Sequence, residues 1–178
     1  MKISSITSPE SMEITNLLGF PIDMVETDKR TKIIRIQDYD LSFVANRLRR
    51  KKILSEHKID SAIIEFKRFI TMIVLGHAKM SVPCREVDEV WHAFILYTKE
   101  YEQFCTEING TFIHHCPHDS KFATSYIESD RNTELAYQQY FGKPVLTFTS
   151  NLRGCSSGGD GGGDGGICQC DNACSPLQ

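Results

Sequence analysis

The stretch EVDEVWHAFILYTKEYEQFCTEINGTFIHHCP, Glu86–Pro117, decides how the chain is read. From Val87 onward, apolar residues recur at Val90, Trp91, Phe94, Tyr97, Tyr101, Phe104, Cys105 and Ile108. Steps of three and four mark a helix with one buried face. Asn109-Gly110 closes it, because glycine takes the left-handed conformation that ends helices at little cost. The spacing predicts one helix over Val87–Ile108, followed by a turn carrying two adjacent histidines, His114 and His115.

The chemistry of the chain gathers in the same place. Four of its six histidines fall between His92 and His118, with Asp88 and Cys116 close by. At about 100° per residue, Asp88 and His92 are neighbours on the flank of the helix stripe. A carboxylate and an imidazole so placed share a cation, or the carboxylate orients the ring. A continuous helix puts roughly 24 Å between His92 and Ile108, and the extended residues after Gly110 recover roughly 15 Å of it. Successive residues of an extended segment face opposite ways, so one of His114 and His115 is expected to turn inward. The candidate metal ligands are therefore Asp88, His92, His114 and His115, with Cys116, His118 and Asp119 in reserve. Such an oxygen and nitrogen set suits Zn or Fe. The competing reading is that His92 bonds a backbone carbonyl and the histidine pair only closes a turn. Cys105 projects onto the buried stripe and reads as a core thiol.

These residues also carry a family resemblance. VDEVWHAFILYTKEYEQFC followed by GTFIHHCP resembles the segment shared by glycine-rich domain-containing proteins of plants and their short bacterial forms. AIIEFKRFITM upstream and YFGKP downstream are similar to that family too, so the likeness spans roughly residues 38 to 144. Its motif positions fall on Asp88, Trp91, His92, Tyr101, Cys105, His114, His115 and Pro117. The resemblance implies a helical module linked to development and stress, with no established reaction. The chain departs from the plant forms in its shortness and its brief Cys-containing glycine tail, so an RNA-related role does not carry over.

Outward from the motif, Asp60 or Ser61 caps the helix AIIEFKRFITMIVL, which ends at Gly76. Its apolar residues cover most of the circumference, so it is expected to be the most buried helix. The short connector Gly76–Pro83 sets it antiparallel to the motif helix, which Val82-Pro83 opens. Earlier, SPESMEITNLLG reads as a short helix, TKIIRI as an extended connector, and Asp40 as the cap of a helix carrying Leu41, Val44, Ala45 and Leu48. Later, Lys121–Glu128 is weakly helical and Asp130–Phe141 is a firmer helix stopped by Gly142. The fold expected is all-α, a compact helical bundle of about five helices within residues 1–150. Residues 151–178 are expected to form a disordered glycine-rich, Cys-containing tail.

Composition bounds what such a bundle does. Of 178 residues, 40% are apolar, which is enough for one core. No apolar run reaches the roughly 18 residues of a membrane span, and the first residues lack the apolar block of a secretory signal. A cytoplasmic, reducing location is expected, so the seven cysteines read as thiols or ligands before disulfides. Residues 1–153 carry equal numbers of basic and acidic residues, because residues 154–178 hold Asp160, Asp164 and Asp171 and no cation. Nucleic acid is not expected as a partner. The one dense basic run, Arg47–Lys52, lacks interleaved aromatics to stack bases and reads as a solvated helix end. In the tail, Cys155, Cys168, Cys170 and Cys174 are a weak ligand set, since C-x-C-x3-C lacks a second knuckle.

Three functions compete at this level. The first is an interaction module with a protein partner and a structural or regulatory divalent metal. The second is a metal-dependent hydrolase or oxygenase using Asp88, His92 and one of His114 and His115, with a coordination position left open. A Cys–His nucleophile pair built on Cys116 with His92 or His118 is a third.

Overall fold

The computed structural model describes residues 18–77, 79–115, 123–142 and 169–170. The described residues hold six α-helices and one two-residue antiparallel pairing, so the fold is all-α. The helices are α1 (Thr27–Asp38), α2 (Ser42–Lys51), α3 (Glu56–Val74), α4 (Arg85–Ile95), α5 (Thr98–Asn109) and α6 (Ala123–Phe141). The pairing joins β1 (Met80–Ser81) to β2 (Gln169–Cys170).

The centre is α3. Ile59, Ala62, Phe66, Phe69, Ile70, Met72 and Ile73 are buried on several of its sides. Helices apolar around most of their surface are driven to the middle of a bundle, because every side gains by leaving water. Against α3 lies α4, whose Trp91 ring packs on Phe66 and Phe69 at 6.2 and 5.6 Å between centroids. Phe94, Tyr101, Phe104 and Ile108 extend the same core onto α5.

α3 also buries charge. Glu65 is fully enclosed and pairs with Arg68 at 3.0 Å. Arg68 Nε donates to the Leu18 carbonyl at 2.7 Å, and its guanidinium lies 4.8 Å above the Phe141 ring. Phe20 stacks on Tyr140 at 5.0 Å, so residues 18–20 are tied to both α3 and the end of α6.

Several expectations need correcting. TKIIRI is not an extended connector; it belongs to α1, with Ile33 and Ile36 buried one turn apart. Six residues are too few for the helix period to outweigh β-branched content, whereas a helical turn brings Ile36 into the main core and Ile33 against Leu18 and Phe20. α3 starts at Glu56, a turn before Asp60, with Ser55 at its N-cap. Arg49 grips that first turn through Glu56 at 2.7 Å and Asp60 at 3.3 Å. Downstream, α4 begins at Arg85 behind Cys84, two residues past Pro83. The two segments expected after the histidine turn are one helix, α6. Residues 8–17 of the short helix read in SPESMEITNLLG and most of the tail lie outside the described residues.

The largest correction concerns the motif helix. It is two helices, α4 and α5, broken at Leu96–Tyr97. No proline or glycine marks the break. Tyr97 leaves helical geometry with φ −95° and ψ 69°, and packs edge-on against Phe43 of α2 at 4.8 Å. In a continuous helix, Trp91 and Tyr101 would stand about 15 Å apart along the axis. Here Trp91 Nε1 donates to the Tyr101 hydroxyl at 2.8 Å. Long-range aromatic packing has overridden a helical pattern that locally ran on.

At the far end of the bundle, half-buried His77 sets Nε2 3.1 Å from the Tyr140 hydroxyl. Lost hydration pushes its pKa below the ordinary 6.5. The folded state therefore binds this proton less readily than the unfolded chain. Its contribution is complete above the unfolded value and is lost as the pH falls from there through the lower folded value. The urea midpoint should fall between about pH 7.5 and pH 5.5. That fall should be shallower in His77→Gln, whose amide still reaches Tyr140. Equal slopes in both proteins would refute the assignment.

Candidate metal centre

Asp88 stands in the first turn of α4, where aligned backbone N–H groups favour a carboxylate. One turn later on the same flank stands His92, with Nδ1 3.3 Å from Asp88 Oδ2. The extended residues after α5 bring His115 to the other oxygen, with Nε2 2.9 Å from Asp88 Oδ1. One donor atom from each of the three lies within 4.8 Å of the others. The two imidazole rings are 4.4 Å apart and tilted by 44°.

Two helices hold the segment that delivers His115. Gly110 ends α5 at φ +78°, and the chain then runs back along that helix. The fully buried Tyr101 hydroxyl accepts from Trp91 Nε1 and donates to the Ile113 carbonyl at 2.6 Å. Ile113 inserts into the core, and its backbone also bonds the Cys105 thiol. His115 then lies with its ring edge-to-face on Trp91 at 4.5 Å. Alternation carries His114 the other way, exposed against Phe112 at 4.9 Å.

The candidates thus separate. Asp88, His92 and His115 converge, whereas His114 does not join them. Cys116, His118, Asp119, Cys155, Cys168 and Cys174 lie outside the described residues, and of Cys170 only the backbone pairing is described. The described thiols are poor nucleophiles: burial pushes Cys84 up to about 12 and raises Cys105 as well. Cys105 is buried among the aromatic core residues. The Arg47–Lys52 run ends α2, with Arg49 engaged by Glu56 and Asp60. No helix among the described residues is long and apolar enough to cross a membrane.

Sequence reasoning missed the positioning role of Tyr101. It reads as another core aromatic, and only its polar tip hinted at a buried partner. Tyr101→Phe keeps the ring but leaves the Trp91 donor and Ile113 carbonyl unpaired. It should cost about 1–3 kcal/mol and loosen residues 111–115 in hydrogen exchange. Unchanged exchange there would show that the hydroxyl pins nothing.

The family model that matches this chain covers residues 29–138, from α1 into α6, and is described as UCP032817-like. The chain belongs to the UCP032817-like family. This corrects the resemblance to glycine-rich domain-containing proteins, which rests on short strings spread over roughly residues 38 to 144, VDEVWH and HHCP foremost. Those short strings encode a helix turn and a histidine turn, and a match over most of the bundle outweighs them. The family's description names no activity. No curated protein and no solved structure matches the chain. For this UCP032817-like chain, function must therefore be argued from the Asp88–His92–His115 geometry itself.

Proposed function

We propose that Asp88, His92 and His115 hold one divalent metal ion, and that the protein is a metal-stapled interaction module. The observation that carries this is the convergence of three donor atoms within 4.8 Å from two separate parts of the chain. Bonds of about 2.0–2.1 Å in a tetrahedral zinc site place neighbouring donors about 3.3 Å apart. The Asp88–His115 and Asp88–His92 separations of 2.9 and 3.3 Å lie at or just below that value, one to each oxygen of the carboxylate. Zn or Fe suits the donor set.

The arrangement supports a staple because residues 111–115, which deliver His115, form no repetitive secondary structure. An ion shared with α4 would tie them to the bundle. A second reading, metal-dependent hydrolysis or oxygen chemistry, draws on one feature. The His92 side chain is 51% exposed while those of Asp88 and His115 are 12% and 5% exposed. A bound ion would face solvent on the His92 side, leaving a position for water or substrate.

The test is elemental analysis of protein purified without a histidine tag, followed by cobalt(II) titration of the stripped protein. One metal per chain is expected, and chelation should speed hydrogen exchange in residues 111–115 while the helices persist. Protein that binds no cobalt(II) stoichiometrically and exchanges identically with chelator would defeat the proposal. Asp88 would then be a carboxylate bonded by two imidazoles.

A further inference from the structure

We propose that the end of α2 is a docking surface for a short acidic segment of a partner protein, whose carboxylates meet Arg47, Arg50, Lys51 and Lys52. This gives the interaction module a partner chemistry and does not depend on a bound metal.

Elsewhere the described residues compensate most of their cations. Lys29, Arg30, Lys58, Lys79 and Arg85 each meet a carboxylate at 2.6 to 3.9 Å. Arg35 and Lys67 donate to backbone carbonyls. Within the basic run itself, Arg49 is taken by Glu56 and Asp60. Among the described residues no carboxylate pairs with Arg47, Arg50, Lys51 or Lys52, of which Arg47 is half-buried and the others exposed. At about 100° per residue, Arg47, Arg50 and Lys51 share one face of α2, and Arg49 faces away from them towards α3.

This grouping works against the helix that carries it. Arg47 stands three and four residues before Arg50 and Lys51, spacings at which like charges destabilise a helix. Arg47 Nε is shut off from solvent with no hydrogen-bond partner among the described residues, which costs stability. Lys52 closes α2 at φ +53°, a left-handed position that glycine fills more cheaply. The helix dipole rewards cations only within the last turn, whereas Arg47 precedes that turn and Lys52 follows it. An anion seated among the four cations offsets these costs.

The occupant follows from the charge pattern. Residues 47–52 rise about 8 Å along the helix, the length of two or three residues of extended peptide. Arginine forks bind carboxylates through paired bonds. The exposed carboxylates of Glu56 and Asp60 bound the patch at the start of α3, and residues 1–153 as a whole are neutral. A long polyanion such as nucleic acid would run onto those carboxylates and find no wider field to hold it.

The test is fluorescence anisotropy of a labelled octaglutamate peptide with the full chain at low salt, where surface charges are weakly screened. Saturable binding is expected. Arg50→Gln with Lys51→Gln and Lys52→Gln removes three exposed cations and should weaken it about tenfold. Lys32→Gln with Lys99→Gln and Arg131→Gln removes the same charge from scattered places and should weaken it less than about threefold. The first variant should melt no lower than the unaltered protein, because it relieves like-charge crowding. Equal weakening by the two variants, or no saturable binding, overturns the proposal. A lower melting midpoint also overturns it, by showing that these cations serve the helix end instead. So does tighter binding of an oligothymidylate of similar charge, which would assign the patch to nucleic acid.

Discussion

Replacing Trp91 with alanine should destabilise the protein by about 3–5 kcal/mol, the range for removing a large aromatic from a core that cannot collapse around the space. Trp91 is fully buried between α3 and α4, with Phe66 and Phe69 on one side and His115 on the other. Its indole N–H is the donor that the Tyr101 hydroxyl accepts. The variant therefore opens a cavity at the main helix contact and removes the partner that orients Tyr101. Trp91→Phe separates the two effects, since it refills much of the space without the donor. It should lose distinctly less stability while still loosening residues 111–115. Urea titration reads the first quantity and hydrogen exchange the second. A loss below about 1 kcal/mol for Trp91→Ala would mean that this stripe does not face α3.

The second large effect is expected at the proposed metal centre. His115→Ala should weaken cobalt(II) binding by at least about 100-fold, above the 10–100-fold range that changes to outer partners cost. His92→Ala should match it, because the two imidazoles flank the same carboxylate from opposite ends. His114→Ala should change affinity little, since that side chain is exposed beside Phe112. Binding should also weaken as the pH falls, because metal and protons compete for imidazole nitrogen. Isothermal titration of the three variants checks the ordering. A His114→Ala protein as impaired as His115→Ala would show that the turn, not a specific ligand, controls binding.

The ordering of these variants shows how far the residue pattern reaches. That Asp88 and His92 are neighbours follows from four-residue spacing on a helix, and a local rule suffices for it. That only one of two adjacent histidines faces inward also follows from local alternation. Which one does so is a different question. His115 is chosen because Ile113 is drawn into the core and its carbonyl bonded by Tyr101, twelve residues earlier. The bonded partner lies on another helix, and nothing in GTFIHHCP carries that information.

The α4–α5 break has the same origin. The three-four spacing runs unbroken from Phe94 through Tyr97 to Tyr101, with no glycine or proline to interrupt it. Helical propensity across those residues varies by a few tenths of a kcal/mol each. Seating Tyr97 on Phe43 and Tyr101 beneath Trp91 brings aromatic packing and buried hydrogen bonds of larger size. Inside α1, Ile33 and Ile36 behave alike: their helical state is set by the core residues they pack against. Periodicity along the chain by itself determined the all-α class, the burial of α3, the apolar face carrying Trp91 and the glycine stops, because each depends on residues within a turn or two. Only the tertiary structure decided the broken motif helix, the inward turn of His115 and the pairing of Met80 with Cys170. Each rests on contacts between residues far apart in the chain, whose energies exceed the small local preferences they override.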